Sequence, residues 1–170
     1  HSFPTRRSSD LGNSLSDSTQ TGLEVQSPAS LSLTTSLDSS SVSVGGSATI
    51  IAVVQNSGDT STSYDFSISA PSGVSTSVAS GATSGTVSGS STASIEYTLT
   101  GTENGSYDIT TSVSGGNGQN LSTSDALSVS DSTPPTADAG SEFTVKEGST
   151  FSFDGSGSSD NVAISTYEWD

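Results

Sequence analysis

From Leu31 onward, apolar residues recur at alternate positions. Leu31, Leu33, Thr35 and Leu37 share one face of an extended chain, and Val42 and Val44 follow before a Gly45-Gly46 turn. Successive side chains on a strand point to opposite faces, so a period of two predicts half-buried strands and not helices. The strongest predicted strand is Ala48 to Gln55, closed by the turn residues Asn56-Ser57-Gly58-Asp59. Tyr64, Phe66 and Ile68 then alternate with polar residues until Pro71-Ser72-Gly73 breaks the run. Val74, Val78 and Val87 mark weaker strands between Gly-Ser turns. Ile95, Tyr97 and Leu99 alternate strongly, as do Tyr107, Ile109, Thr111 and Val113, and Leu127 and Val129 close the set.

About seven or eight short strands within roughly a hundred residues, with turn signals at regular spacing, predict an all-β fold of the immunoglobulin-like β-sandwich class. Tyr107 stands at the start of the penultimate strand after Asn104-Gly105, where a tyrosine corner belongs. Residues 42–61, VSVGGSATIIAVVQNSGDTS, combine a Gly turn, a buried strand and an Asn-x-Gly-Asp turn. This stretch resembles the opening of cell-adhesion-related (CARDB) sandwich domains, and residues 31–131 are read as one such domain.

A second, shorter pattern follows the connector 132–136, in which Pro134-Pro135 lack backbone donors and favour extended geometry. Glu147-Gly148 separates two short alternating runs, Phe143 to Val145 and Phe151 to Phe153, which predicts a hairpin. Tyr167 and Trp169 share a face two residues apart, and Trp169, the sole tryptophan, is the expected core anchor. The run PPTADAG, then TVKEGSTFSFDGSGSSDN, then ISTYEWD resembles the first half of a polycystic-kidney-disease-type (PKD) domain. The resemblance implies the first half of a second β-sandwich, truncated, over residues 137–170. It also implies an extracellular or cell-surface protein. So small an apolar inventory is expected to be loosely ordered by itself.

The remaining segments are plainer. Residues 12–30 hold no sustained period and read as a linker. HSFPTRRSSDL, residues 1–11, contains the one histidine, His1, and two of the three basic residues, Arg6 and Arg7. Back-translated, it resembles a sequencing adapter and is set aside from fold reasoning, the alternative being a basic N-terminal tail.

Composition narrows the function classes. The chain carries 18 acids against three basic residues, a net charge of -15. Such a balance repels phosphate backbones and anionic membrane surfaces, so nucleic acid is excluded as a partner. The longest apolar run, Ile50 to Val54, is far below the ~18 residues of a membrane-spanning helix. Acid enrichment with a single lysine, Lys146, resembles salt-adapted (halophilic) proteins, whose self-repulsion salt screens. Absence of cysteine removes disulfides, thiolate metal sites and thiol nucleophiles.

With His1 set aside no Ser-His-Asp arrangement exists, and a Ser-Lys pair would need Lys146 within the predicted hairpin. No catalytic residue and no cofactor site is therefore assigned. Asp154, Ser156, Ser158 and Asp160 place oxygens at alternate positions, similar in outline to an EF-hand loop. Ser159 stands where that loop needs Gly, and Ser165 where it needs Glu, so the EF-hand is rejected. The PKD resemblance implies calcium at Asp160 and Asn161, helped by Asp170. Read from the residues alone, Asp154-Gly155 and Asp160-Asn161 are ordinary turn formers. Asn104-Gly105-Ser106 and Asn120-Leu121-Ser122 are glycosylation sequons, with a chance occurrence in a Ser-rich chain as the alternative.

Two functional classes follow. One is a non-catalytic part of an extracellular or cell-surface stalk, whose tandem sandwich modules neighbour one another and meet surface proteins or polysaccharides. The other is a set of accessory modules on a secreted protease or glycoside hydrolase.

Overall fold

In a computed structural model the described residues are 24–169. The adapter-like segment 1–11, most of the expected linker, and Asp170 lie outside them. Among the described residues nine strands form in chain order: β1 (Leu31–Leu37), β2 (Ser41–Ser43), β3 (Ser47–Asn56), β4 (Thr62–Ser69), β5 (Val74–Gly81), β6 (Ser84–Val87), β7 (Ser91–Gly101), β8 (Gly105–Gly115) and β9 (Asn120–Ser130). They make two sheets, of order β1-β3-β7-β5 and β2-β9-β8-β4-β6. The all-β, two-sheet sandwich expected from the alternation is what forms. All pairings are antiparallel except β2 on β9, which is parallel over Ser41 to Ser43.

The period-two residues build the core. Ala48, Ile50, Ala52 and Val54 of β3 and Ile95, Tyr97 and Leu99 of β7 are buried from one sheet. Tyr64, Phe66, Ile109, Val113, Leu127 and Val129 are buried from the other. Tyr64 and Phe66 meet edge to face with centroids 5.3 Å apart, a geometry that adds to plain area burial. Intervening Ser and Thr residues face outward, which is how so polar a chain still closes a core on one face per sheet.

The weak strands are real but thin. β5 pairs only with β7, carries an irregularity between Val78 and Ser80, and leaves Val78 48% exposed. It lies at a sheet edge, where small polar residues suffice and little core is available.

Beyond β9 the expected hairpin does not form strands. Ser149 N donates to Lys146 O at 3.1 Å, closing a turn at the expected place, but among the described residues the only pairing there is a bridge between Thr136 and Ser159. Trp169, expected as a core anchor, is 45% exposed and stacks on Phe153 with centroids 4.8 Å apart. Phe143, Phe151 and Phe153 cluster at 5.2 to 6.2 Å and are also about half exposed. The reason is physical: a two-stranded ribbon with one apolar face is marginal in water unless a second layer covers it, and no described residue supplies that layer.

Candidate functional surfaces

The strand directions put the incoming and outgoing chain at opposite ends of the sandwich. At the proximal end Leu31 begins β1 opposite Asn56, Ser91 begins β7 opposite Asn56, and Gly115 N bonds Gln119 O across the β8–β9 turn. At the distal end Val44 N bonds Ser130 O, and Gly45 N bonds Gly101 O. An eleven-residue strand such as β9 spans about 35 Å at ~3.3 Å per residue.

The proximal end is held by polar side chains. Asn56 is fully buried. Its Oδ1 accepts from Ser30 N and Gly58 N, both at 3.1 Å, and its Nδ2 donates to Thr60 O at 2.8 Å, Ser88 O at 3.2 Å and Val87 O at 3.5 Å. One amide thus ties the incoming chain, the β3–β4 turn and the β6–β7 turn together. Close backbone approach completes the junction: a Cβ on Gly58 would strike Pro28, and one on Gly89 would strike the Asp59 backbone. The sequence read Asn56 only as a turn residue. Nothing in the sequence announces that three segments meet on it.

Residues 27–30 are fastened to this end. Asp59 Oδ2 accepts from Ser27 N and Ser27 Oγ, both at 2.8 Å, while Asp59 N donates to Ser27 O at 3.1 Å. The backbone and side-chain donors of Ser27 hold the Asp59 carboxyl below the usual carboxylate range. Ser57 N donates to Ser30 O at 2.9 Å, Asn117 Nδ2 to Ala29 O at 3.0 Å, and Leu31 N to Gln119 Oε1 at 2.7 Å.

At the distal end Tyr107 makes the expected corner. Its hydroxyl donates to Glu103 O at 3.0 Å and lies 3.3 Å from Asn104 O. Gly73, at φ 99°, and Gly105 flank the ring so closely that a Cβ on either would collide with it.

The expected calcium residues fall in turns. Asp160 Oδ1 accepts from Val162 N at 2.8 Å and Ala163 N at 3.1 Å. Asn161 Nδ2 is directed at Asp131 Oδ1, 3.4 Å away. Asp154 Oδ1 accepts from Ser156 N at 2.9 Å, and the hydrogen bonds from the Ser156 side chain and backbone hold its carboxyl low. Among the described residues no three His, Cys, Asp or Glu side chains gather as a metal-holding group. Calcium takes six to eight oxygens, which Asp160 and Asn161 by themselves do not supply; Asp170 lies outside the described residues.

Of the sequons, Asn104 is exposed in the β7–β8 turn and Asn120 is exposed as the first residue of β9. Lys146 sits in the turn it shares with Ser149. A shallow cavity of about 290 Å³ lies between Pro135, Thr136, Ala137, Ile164, Tyr167 and Trp169. No helix among the described residues is long and apolar enough to cross a membrane.

No protein-family model matches the chain, and no curated protein matches it significantly. Solved structures of similar shape include a FixG-related protein from Vibrio parahaemolyticus, 11% identical over 58% of this chain and 95% of that one, with a TM-score of 0.47. The cupredoxin domain of amoB from Nitrosocaldus yellowstonii is 10% identical over 71% and 100% of the two chains, with a TM-score of 0.48. The secreted serine protease VesC from Vibrio cholerae is 12% identical over 59% of this chain and 22% of its own, with a TM-score of 0.41. Likenesses this distant carry no function across.

Proposed function

We propose that the chain is a non-catalytic spacer of an extracellular or cell-surface protein, a β-sandwich strung in line with neighbouring modules as part of a stalk. The observation that carries this reading is the placement of the incoming and outgoing chain at opposite ends, with the incoming segment fastened to the proximal end by Asn56, Asp59 and Asn117. A module built so adds its length to whatever lies on either side. Its surface is strongly acidic and rich in Ser and Thr, which keeps it soluble and repels like-charged surfaces.

Within the same proposal, residues 31–131 are a CARDB-like adhesion-type sandwich, residues 137–170 are PKD-type, and Asn104 and Asn120 are glycan acceptors on exposed positions. Surface proteins and polysaccharides are the partner classes that fit such a stalk, and the acidity fits a salt-adapted source. The test is to label intact source cells with a membrane-impermeant amine reagent. Labelling of this chain on whole cells supports the reading, and protection until the cells are broken overturns it.

A further inference from the structure

We infer that this sandwich is a load-bearing link, built to resist tension applied along its long axis. The inference rests on reading the module as one unit of a stalk, and deepens it by assigning what the unit must withstand.

β1 runs from the proximal to the distal end, and the chain enters at its start. β9 runs in the same direction, and the chain leaves at its finish. A pull on the two sides of the domain therefore draws each terminal strand lengthwise out of its own sheet. Lengthwise sliding must break all the hydrogen bonds of a strand together, whereas a sideways pull opens them one pair at a time. β1 is registered against β3 over seven consecutive pairs, and β9 against β8 over ten.

The parallel ladder of β2 on β9 adds a direct fastening between an early and the last strand of the sandwich. Ser128 N donates to Ser40 O at 2.9 Å and Val44 N to Ser130 O at 3.0 Å, with Val42 paired to Val129 between them. Ser40, Val42 and Val44, at alternate positions through β2 and the residue on either side of it, turn their backbone groups toward β9. Upstream, load reaching residue 27 passes first through the Ser27–Asp59 and Ser30–Ser57 bonds onto the β3–β4 turn. Tension therefore enters the sheets by several paths.

The chain has no cysteine, so thiol handles can be placed at will. Two versions of the full chain are pulled one molecule at a time. One carries Gln26→Cys and Ser132→Cys, at opposite ends; the other carries Gln26→Cys and Ser88→Cys, both at the proximal end. The lengthwise pair is expected to rupture at a force at least about twofold higher at equal loading rate. Val42→Pro, which removes a donor from the parallel ladder, is expected to lower the lengthwise force and leave the crosswise force within error. Equal forces in the two directions overturn the inference, as does an unchanged lengthwise force in Val42→Pro. Should that variant not fold, the comparison of directions on the otherwise unaltered chain decides by itself. The measurement is made on purified protein, so its failure leaves the surface location standing, and failed surface labelling leaves a measured force standing.

Discussion

Replacing Asn56 with alanine is expected to cost the sandwich about 3–5 kcal/mol. The side chain is fully buried and makes hydrogen bonds to Ser30 N, Gly58 N, Thr60 O, Ser88 O and Val87 O. Gly58 is buried too, so its N–H would lose its partner out of reach of water, at about 1–3 kcal/mol. The bonds to Ser30, Thr60 and Ser88 are only partly shielded. Each is worth about 0.5–1.5 kcal/mol, and the long contact to Val87 adds little. Urea unfolding followed by far-ultraviolet circular dichroism measures the loss as a lower midpoint at unchanged slope. A change below about 1 kcal/mol would refute the claim that this amide joins the three segments.

Asn56→Asp sharpens the test. The shape is kept, but an ionised carboxylate would face the carbonyl oxygens of Thr60 and Ser88 and could donate to neither. Burial and those oxygens would raise its folded pKa above the unfolded value of ~3.9. In that interval the folded state binds more protons, so stability falls as pH rises through it. Relative to the parent, Asn56→Asp is expected to be least impaired near pH 4 and to worsen toward pH 7. A pH-independent difference would contradict the assigned donor roles.

Three further outcomes are expected. Thr111 Oγ1 is buried without a partner, so Thr111→Val is expected to raise stability by about 1 kcal/mol in the same urea assay. Tyr107→Phe removes the hydroxyl bonded to Glu103 O and is expected to cost about 1 kcal/mol, whereas Gly73→Ala, which strikes the ring from a backbone at φ 99°, is expected to cost more. The Asp59 carboxyl is held low by Ser27, so its contribution is present above the ordinary carboxylate pKa and fades as pH falls through the lowered one. The protection of the Ser27 and Asp59 amides, taken as observed exchange relative to the intrinsic rate at each pH, is therefore expected to fall in acid, and Asp59→Asn to flatten that dependence.

Much of the fold was legible because burial in a sandwich follows a period of two. The residues read on one face, Tyr64-Phe66-Ile68 and Ile109-Thr111-Val113, lie on one face, and Tyr107 makes its corner. β5 and β6 were faint because edge strands need few apolar residues, as the half-exposed Val78 illustrates. The parallel pairing of β2 with β9 was not legible, since register between strands so distant in sequence depends on how the two sheets close. Asn56 was missed for a related reason: a turn asparagine and a buried junction asparagine look alike until three turns converge. In residues 137–169 the aromatic pattern was legible and strands were expected from it. Pattern alone does not make a sheet where its apolar face has no cover.

The most direct test of the account is the distance between the two ends of the sandwich. Spin labels on Gln26→Cys and Ser132→Cys, the only thiols in the chain, would report it by pulsed electron resonance. A separation of about 35–45 Å, one long strand plus the flanking residues, is the result expected of an in-line spacer. A separation below about 20 Å would place entrance and exit side by side and remove the basis for the stalk.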